Sequence, residues 1–525
     1  MMEMLYYEAG RKGYLIFDKN GRIPKIGFHL PEDMAGLWFP PFKIIDCLDF
    51  QKPSRKVIVN MVGRKILFED GEAELLFSLD RKRFFIKIKG KLDIQLRLCE
   101  TPVWYSDILG WRKTVPRIYE KEDEILIELK NLNILFFIKS SGGFFSLKRN
   151  ILKVKSLLPE TVVYIGDEPL KNVMKAYEEE KVKKEEYYHL TNSEKGTRFW
   201  LKNMLIDMFL ANEYGEGVIA GFPEFPWWFG VDTFFIGRCL LEMDLMDFFK
   251  KSFSNLLRHS EKGKIPHEVI TNGVIYHKGN PIETSLFVIL LEDYYEKTKD
   301  LTFVKENYPV ILEGFKNLLK VPYPEGPGFV ELEEVSSEHV VTLDNVVAAY
   351  RALMALSKLS KLLKDEKTLE WSLDFLKFYR ENFMKDWFDE EKRLFWDYMI
   401  DEKKKFSGFF TQIFPLFFGL VNKNLAVRVL NELKKIGLIS EKGLRHSLKG
   451  DEGGFYGRKE GKIWWISNAL LKRTVLSYGM NWDFSKLDEM FKHDMENVGM
   501  NHAIPEIVNM EGGCFAQAWS AYYPI

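Results

Sequence analysis

The sequence predicts a chain in two parts: an N-terminal antiparallel β-sandwich over residues 1–167 and, after a helical linker over 168–191, an all-α (α/α)6 toroid over 192–525. Three observations predict it. Up to about Val163 the apolar residues come in short runs set off by turn signals,. From about Asn192 they recur at helical spacing,. The helical part shows no repeat of fixed period, so an open solenoid is not expected,.

In the first part the strand-like runs include Lys56-Val57-Ile58-Val59-Asn60, Arg83 to Lys89, Glu124 to Glu128, and the run holding Ile134, Phe136 and Ile138. Asp70-Gly71 and Ser141-Gly142-Gly143 supply turns, and short strands at this spacing suit a sandwich,. The texture changes after Val162 to Asp167. Asp167 is a candidate cap for a helix with its body over about 171–182,. Further on, Val346, Ala349, Tyr350, Leu353 and Met354 form one apolar helical face,. Leu286, Ile289 and Leu290 open another, with Thr284 or Ser285 as its cap. Helical stretches near 200–211, 233–257, 303–320, 369–383, 423–435 and 463–478 bring the expected number to about twelve,. Paired helices joined by long aromatic-rich loops suit a closed ring that carries its chemistry in loops at one end.

Composition narrows the class. Hydrophobic content of 46% and aromatic content of 15% describe a globular chain with a large core,. Lys and Arg number 75 against 76 Asp and Glu, so no field draws nucleic acid or an anionic membrane,. Cys47, Cys99, Cys239 and Cys514 are scattered without a CxxC pair, which suits a reducing compartment and neither a disulfide framework nor a zinc site,. The N-terminus has no basic and apolar leader, and the most apolar stretch, 409–421, is interrupted and short, so a cytoplasmic protein is expected,. Four glutamines amid abundant Lys and Glu resemble thermophile usage,. HExxH, Walker, GxGxxG and GxSxG patterns are absent, and no cofactor or metal is expected,.

Two carboxylate segments stand out. Ile504-Pro505-Glu506 holds a glutamate on a proline-stiffened loop, followed by Gly512-Gly513-Cys514-Phe515-Ala516-Gln517-Ala518-Trp519-Ser520. Far upstream, Glu333-Glu334-Val335 lies in another irregular stretch. Inverting glycoside hydrolysis needs one carboxylic acid to protonate the leaving oxygen and one carboxylate to activate water, about 6.5–9.5 Å apart. Such a pair must come from different loops. Taken alone, the acidic run around Glu333 reads as a solvated face, and Pro-Glu commonly begins a helix.

Further segments carry a resemblance. Leu332-Glu333-Glu334-Val335 through Thr342 to Ala348 and Arg351-Ala352-Leu353 resembles the general-acid segment of glucoamylases. Phe225 to Phe234 is similar to the Trp-Phe-Gly-Arg-Asp-Thr-Phe motif of glycogen debranching enzymes, in their amylo-α-1,6-glucosidase half, with Val231 where that motif has arginine. Gly263-Lys264-Ile265-Pro266, followed by Ile282 to Leu286, resembles their Gly-x-Ile-Pro and Asp-Ala-Ser-Leu segments. The ending from Ile504 to Ser520 resembles their Pro-Glu…Gln-Ala-Trp-Ser close. Gly36 to Lys43 is similar to the β-domain of archaeal-type relatives.

The resemblance implies an inverting exo-α-glucosidase on α-glucans, with Glu333 as general acid, Glu506 as base and Asp232 gripping the non-reducing terminal glucose. It also implies a sugar contact for Glu334, while the five residues after Ser520 depart from the family and lead to the expectation of a shortened or missing last ring helix. Trp227 and Trp228 offer flat faces for stacking a pyranose, and Trp228 is the expected wall residue, although both equally suit a core,. Arg445, in Gly443-Leu444-Arg445-His446-Ser447, is a candidate for the sugar hydroxyls or a surface arginine. A glucoamylase-like α-1,4-glucosidase, a hydrolase of a disaccharide such as trehalose, and a non-catalytic glucan-binding protein stay open as alternatives. The expected partner is an α-glucan or oligosaccharide, and the oligomeric state is open.

Overall fold

The β-branched and aromatic runs of the first part pair, among the described residues, as fifteen antiparallel strands in two sheets,. One sheet has seven, in the spatial order Leu5–Gly10, Gly13–Asp18, Leu37–Phe39, Phe42–Asp49, Asp93–Leu98, Ile151–Ser156 and Gly143–Lys148. The other has eight, in the order Arg117–Lys121, Glu124–Leu129, Ile134–Ser140, Glu160–Gly166, Arg83–Gly90, Gly71–Phe77, Arg64–Leu67 and Lys56–Val59. This is a computed structural model, and it describes residues 4–27, 32–100, 116–121, 124–329, 339–448, 462–509 and 513–524. Inward side chains of the two sheets share one apolar layer. Phe39 of the first sheet stacks on Phe136 of the second at 5.7 Å, among buried Phe77, Ile86, Leu96 and Ile138,. The Asp70-Gly71 turn joins neighbours in one sheet, whereas Ser141-Gly142 passes the chain from one sheet to the other.

Twelve α-helices follow among the described residues: α1 Val173–Thr191, α2 Gly196–Asp207, α3 Gly230–Glu242, α4 Met246–Arg258, α5 Pro281–Thr298, α6 Leu301–Leu318, α7 Leu343–Leu363, α8 Glu366–Trp387, α9 Phe414–Phe417, α10 Lys423–Lys435, α11 Trp465–Ser477 and α12 Ser485–Asn497. Three boundaries differ from the sequence reading. α1 is capped by Asn172, whose side chain accepts from the Lys175 N–H at 3.0 Å, and not by Asp167,. α5 starts at Pro281 and not beside Thr284 or Ser285. The 233–257 stretch is two helices, broken where Asp244 takes a left-handed φ of 55°.

Chain contacts divide the molecule into two compact units. The first comprises Met1–Pro226, Met495–Ile504 and Cys514–Ala516; the second comprises Trp227–Asp494, Pro505–Gly513 and Gln517–Ile525. In the second, α3 packs on α5, α5 on α7, α7 on α9, and α9 on α11. A 3-10 stretch, Ala518–Tyr522, then packs on both α11 and α3, so the inner ring closes. Burial follows this arrangement. α5 is buried continuously from Pro281 to Glu292, as an inner helix must be, whereas α10 buries one stripe, Ala426, Val429, Leu430 and Leu433,. No described helix is long and apolar enough to cross a membrane.

Candidate active site

Trp228–Phe229 forms a short strand against Glu268–Val269, which pairs in turn with Ile275–His277. Phe229 caps α3, so Asp232 falls in the first turn, where the helix dipole favours negative charge,. Gly230 permits the close approach behind it. A Cβ there would lie 2.5 Å from the Pro266 carbonyl oxygen and 2.7 Å from Cγ of Glu283. The Gly230 N–H instead donates to the His267 carbonyl at 2.8 Å.

α5 begins with Asn280 as cap, Pro281 at its first position, and Glu283 reaching back so that Oε2 accepts from the Asn280 N–H at 2.7 Å,. The other oxygen of Glu283 meets His267 Nδ1 at 2.7 Å. Both oxygens of this fully buried carboxylate are thereby committed.

The starts of the inner elements touch in a circle. Gly326 rests on Pro281 of α5, and its carbonyl accepts from Asn345 Nδ2 in the first turn of α7 at 2.8 Å. Beside it, Asp344 accepts from the Phe329 N–H at 2.6 Å. The Phe329 ring meets Phe410 and Phe414, ahead of and within α9, at 5.2 and 5.7 Å. Phe410 meets His446 at 5.3 Å and Trp464, the α11 cap, at 5.7 Å. Trp464 meets Trp519 at 5.7 Å, and Gln517 Nε2 donates to Asp232 Oδ1 at 3.0 Å. All six inner elements therefore begin around one mouth.

Glu506 enters this mouth from the returning chain. Its carbonyl accepts from the Trp465 N–H at 2.9 Å, at the start of α11. Gly513, with φ of 85°, lies so close that a Cβ there would be 2.5 Å from Glu506 Oε2,. The Glu506 side chain is buried, and its charge is felt by Asp232. Burial pushes the Asp232 carboxyl up, His267 pulls it back, and Glu506 and Glu268 add to the rise,. It settles at about 7 against an ordinary value of 3.8.

Of the residues singled out in the sequence, Asp232 and Glu506 are brought together in this mouth. Trp227 and Trp228 are each 1% exposed, and the Trp227 indole donates to Glu268 Oε1 at 2.7 Å. Arg445 is half-buried; its N–H donates to the Leu438 carbonyl at 2.9 Å, beside His446 of the aromatic arc. Glu333 and Glu334 lie outside the described residues. The chain on either side of them is anchored at the start of α7, through Phe329 on Asp344 and through the Gly326 N–H on the Val340 carbonyl at 2.7 Å. Sequence reasoning gave no role to Glu283 or Gln517. For Glu283 a signal existed, since Asn280-Pro281-x-Glu283 is a capping-box pattern,.

Residues 182–336 match the family model described as amylo-alpha-1,6-glucosidase, a segment that includes Asp232, His267, Glu283 and Glu333. No curated protein sequence matches the chain. Among solved structures, a bacterial glucoamylase complexed with acarbose is similar with a TM-score of 0.69, over 99% of this chain and 94% of that one, at 10% identity. An uncharacterized conserved protein from Thermus thermophilus covers 62% of this chain with 98% of its own length, at 14% identity and a TM-score of 0.49. A GH63 mannosylglycerate hydrolase of the same organism, in complex with Tris, does so at 14% identity and a TM-score of 0.47. Residues 182–336 are thus similar to the amylo-alpha-1,6-glucosidase family, and the chain shares its fold with a bacterial glucoamylase.

Proposed function

We propose that the protein is an inverting, exo-acting α-glucosidase that releases glucose from α-glucans, of the amylo-α-1,6-glucosidase type that acts on branch points. Glu506 deprotonates the attacking water and Glu333 protonates the leaving oxygen. Asp232 accepts from hydroxyls of the non-reducing terminal glucose, with Glu334, Arg445 and Trp228 as further sugar contacts. The observation that carries the reading is the position of Glu506. It is a buried carboxylate at the common mouth of the inner helices, beside Asp232 and fixed through its own backbone to the start of α11. Anchoring of Phe329 and Val340 at that mouth supports a role for the segment between them.

The test is proton NMR of the sugar first released from panose, isomaltose and maltotriose. Release of β-glucose from the α-1,6-linked substrates supports the reading. Faster release from maltotriose moves the assignment to an α-1,4-glucosidase, and no release from any of them refutes it. Glu506→Gln is expected to lower turnover by at least a thousandfold while sugar binding persists; near-normal turnover removes Glu506 from the reaction.

One observation favours a second assignment of the acid. A carboxyl at about 7 holds the proton that a leaving group needs near neutral pH, which would put Asp232 in that role,. α-Glucosyl fluoride separates the two, because fluoride leaves without a proton. The acid is whichever residue, when changed to its amide (E333Q or D232N), loses panose but keeps the fluoride substrate.

A further inference from the structure

The mouth described above is rich in carboxylates, and Trp519 brings to it a buried indole N–H without a partner among the described residues. Asp232 and Glu506 are carboxylates, and Gln517 spends an N–H on Asp232 while its buried Oε1 has no partner among the described residues. A pyranose presents vicinal hydroxyls, each both donor and acceptor, so a site that grips it needs a donor as well. The debranching motif has an arginine immediately before the aspartate. Here that position is Val231, apolar and buried in the first turn of α3.

From these contacts we infer that His267, oriented by Glu283, is the hydroxyl donor of the sugar site and takes over the place left by Val231. The inference rests on the glycosidase reading and specifies how the same site holds its sugar. Its backbone is fixed on two sides: the His267 carbonyl accepts from the Gly230 N–H at 2.8 Å, at the very turn that carries Val231 and Asp232, and its N–H donates to the His277 carbonyl at 3.1 Å. Its ring is fixed by Nδ1 on Glu283 Oε1 at 2.7 Å, and Glu283 is itself clamped by the Asn280 N–H. With Nδ1 committed, Nε2 is the atom left for a ligand.

Exposure agrees with this role. Glu283, Asp232, Glu268 and Glu506 are all buried, whereas the His267 side chain is 32% exposed and is the accessible member of the cluster. The groups around the ring come from every packed element: Glu283 on α5, Asp232 on α3, Glu268 on its own strand, and His277 on the neighbouring strand at 5.2 Å between ring centres. Burial works against a charged imidazole, but the hydrogen bond and charge of Glu283, together with Asp232 and Glu268, hold the His267 pKa above its ordinary value. Burial and the charge of His267 push His277 the other way, so it does not compete for the proton. A protonated His267 presents N–H at Nε2, a charged donor beside the carboxylates.

The experiment uses the full chain and follows glucose binding by calorimetry and kcat/KM on panose, for wild type, His267→Ala, His267→Gln and Val231→Arg/His267→Ala. A hydrogen bond from a charged donor corresponds to roughly 10- to 100-fold. H267A is expected to lose that much in glucose affinity and in kcat/KM at pH 6, together with a lower melting temperature because buried Glu283 loses a partner,. H267Q, which keeps an N–H but no charge, should recover part of the loss, and the arginine of the double variant should recover more. Equal affinity and equal kcat/KM in wild type and H267A overturn the inference and leave the glycosidase reading standing. If H267A does not fold, the comparison passes to H267Q, and wild-type affinity at both pH 6 and pH 8 in that variant is the overturning result. A wild-type protein that neither binds glucose nor cleaves panose removes the glycosidase reading and this inference with it.

Discussion

Asp232→Asn separates the electrostatics of the mouth from its chemistry. Asp232 is 5% exposed, and its carboxyl sits at about 7 where an unfolded chain has about 3.8. Between those values the native state holds a proton that the unfolded state has released, so wild-type stability falls as pH rises through the window. About three pH units at roughly 1.4 kcal/mol each gives a loss on the order of 4 kcal/mol, complete above pH 7 and absent below pH 4. Asparagine has nearly the same shape, keeps an oxygen for the Gln517 N–H, and does not titrate,. The stability of D232N relative to wild type is therefore expected to rise by about 4 kcal/mol between pH 4 and pH 8. Urea unfolding followed by tryptophan fluorescence at four or five pH values measures the difference. A gap that stays constant across the window would mean that the carboxyl ionises as in water, and the account of burial beside Glu506 would fall.

Two further changes test the packing. Gly230→Ala sets a methyl against the Pro266 carbonyl and Glu283, and should cost about 1–3 kcal/mol, read as a lower melting temperature together with weaker glucose binding,. Phe136→Ala empties the space between the two sheets beside Phe39, and should cost about 3–5 kcal/mol in the thermal transition of the sandwich,.

The sheets and helices were legible because their apolar residues repeat at the period of the element. The strands at 56–59, 83–90 and 124–129 fall on the runs the sequence marks, and α10 spans the residues its periodicity assigns. The break at Asp244 was not legible, since the apolar pattern continues through it and only the backbone conformation interrupts the helix. Which sheet a strand joins was also hidden. The Ser141-Gly142 turn has the composition of a hairpin, yet long-range pairing sends its two strands to different sheets,. In the candidate site, Glu506 was singled out by its proline, by the aromatic sequence after it and by the resemblance of that segment. The Glu283 to His267 contact was not legible, because the two are 16 residues apart and meet only when the starts of α3 and α5 are packed together.

The ring is shut by a short 3-10 stretch that is buried throughout and packed through Trp519 and Tyr522 on Phe235, with an arginine clasp beside it: Arg473 of α11 holds Glu242 of α3 through two hydrogen bonds of 2.7 Å and the Tyr522 carbonyl through a third, while Arg238 reaches the Tyr522 hydroxyl. Gln517 lies one residue upstream of that stretch and touches Asp232. Latch and candidate site are thus one piece of chain. On the proposed reading, warmth that loosens this stretch disturbs Asp232 while the surrounding helices are still wound, so inactivation should run ahead of melting.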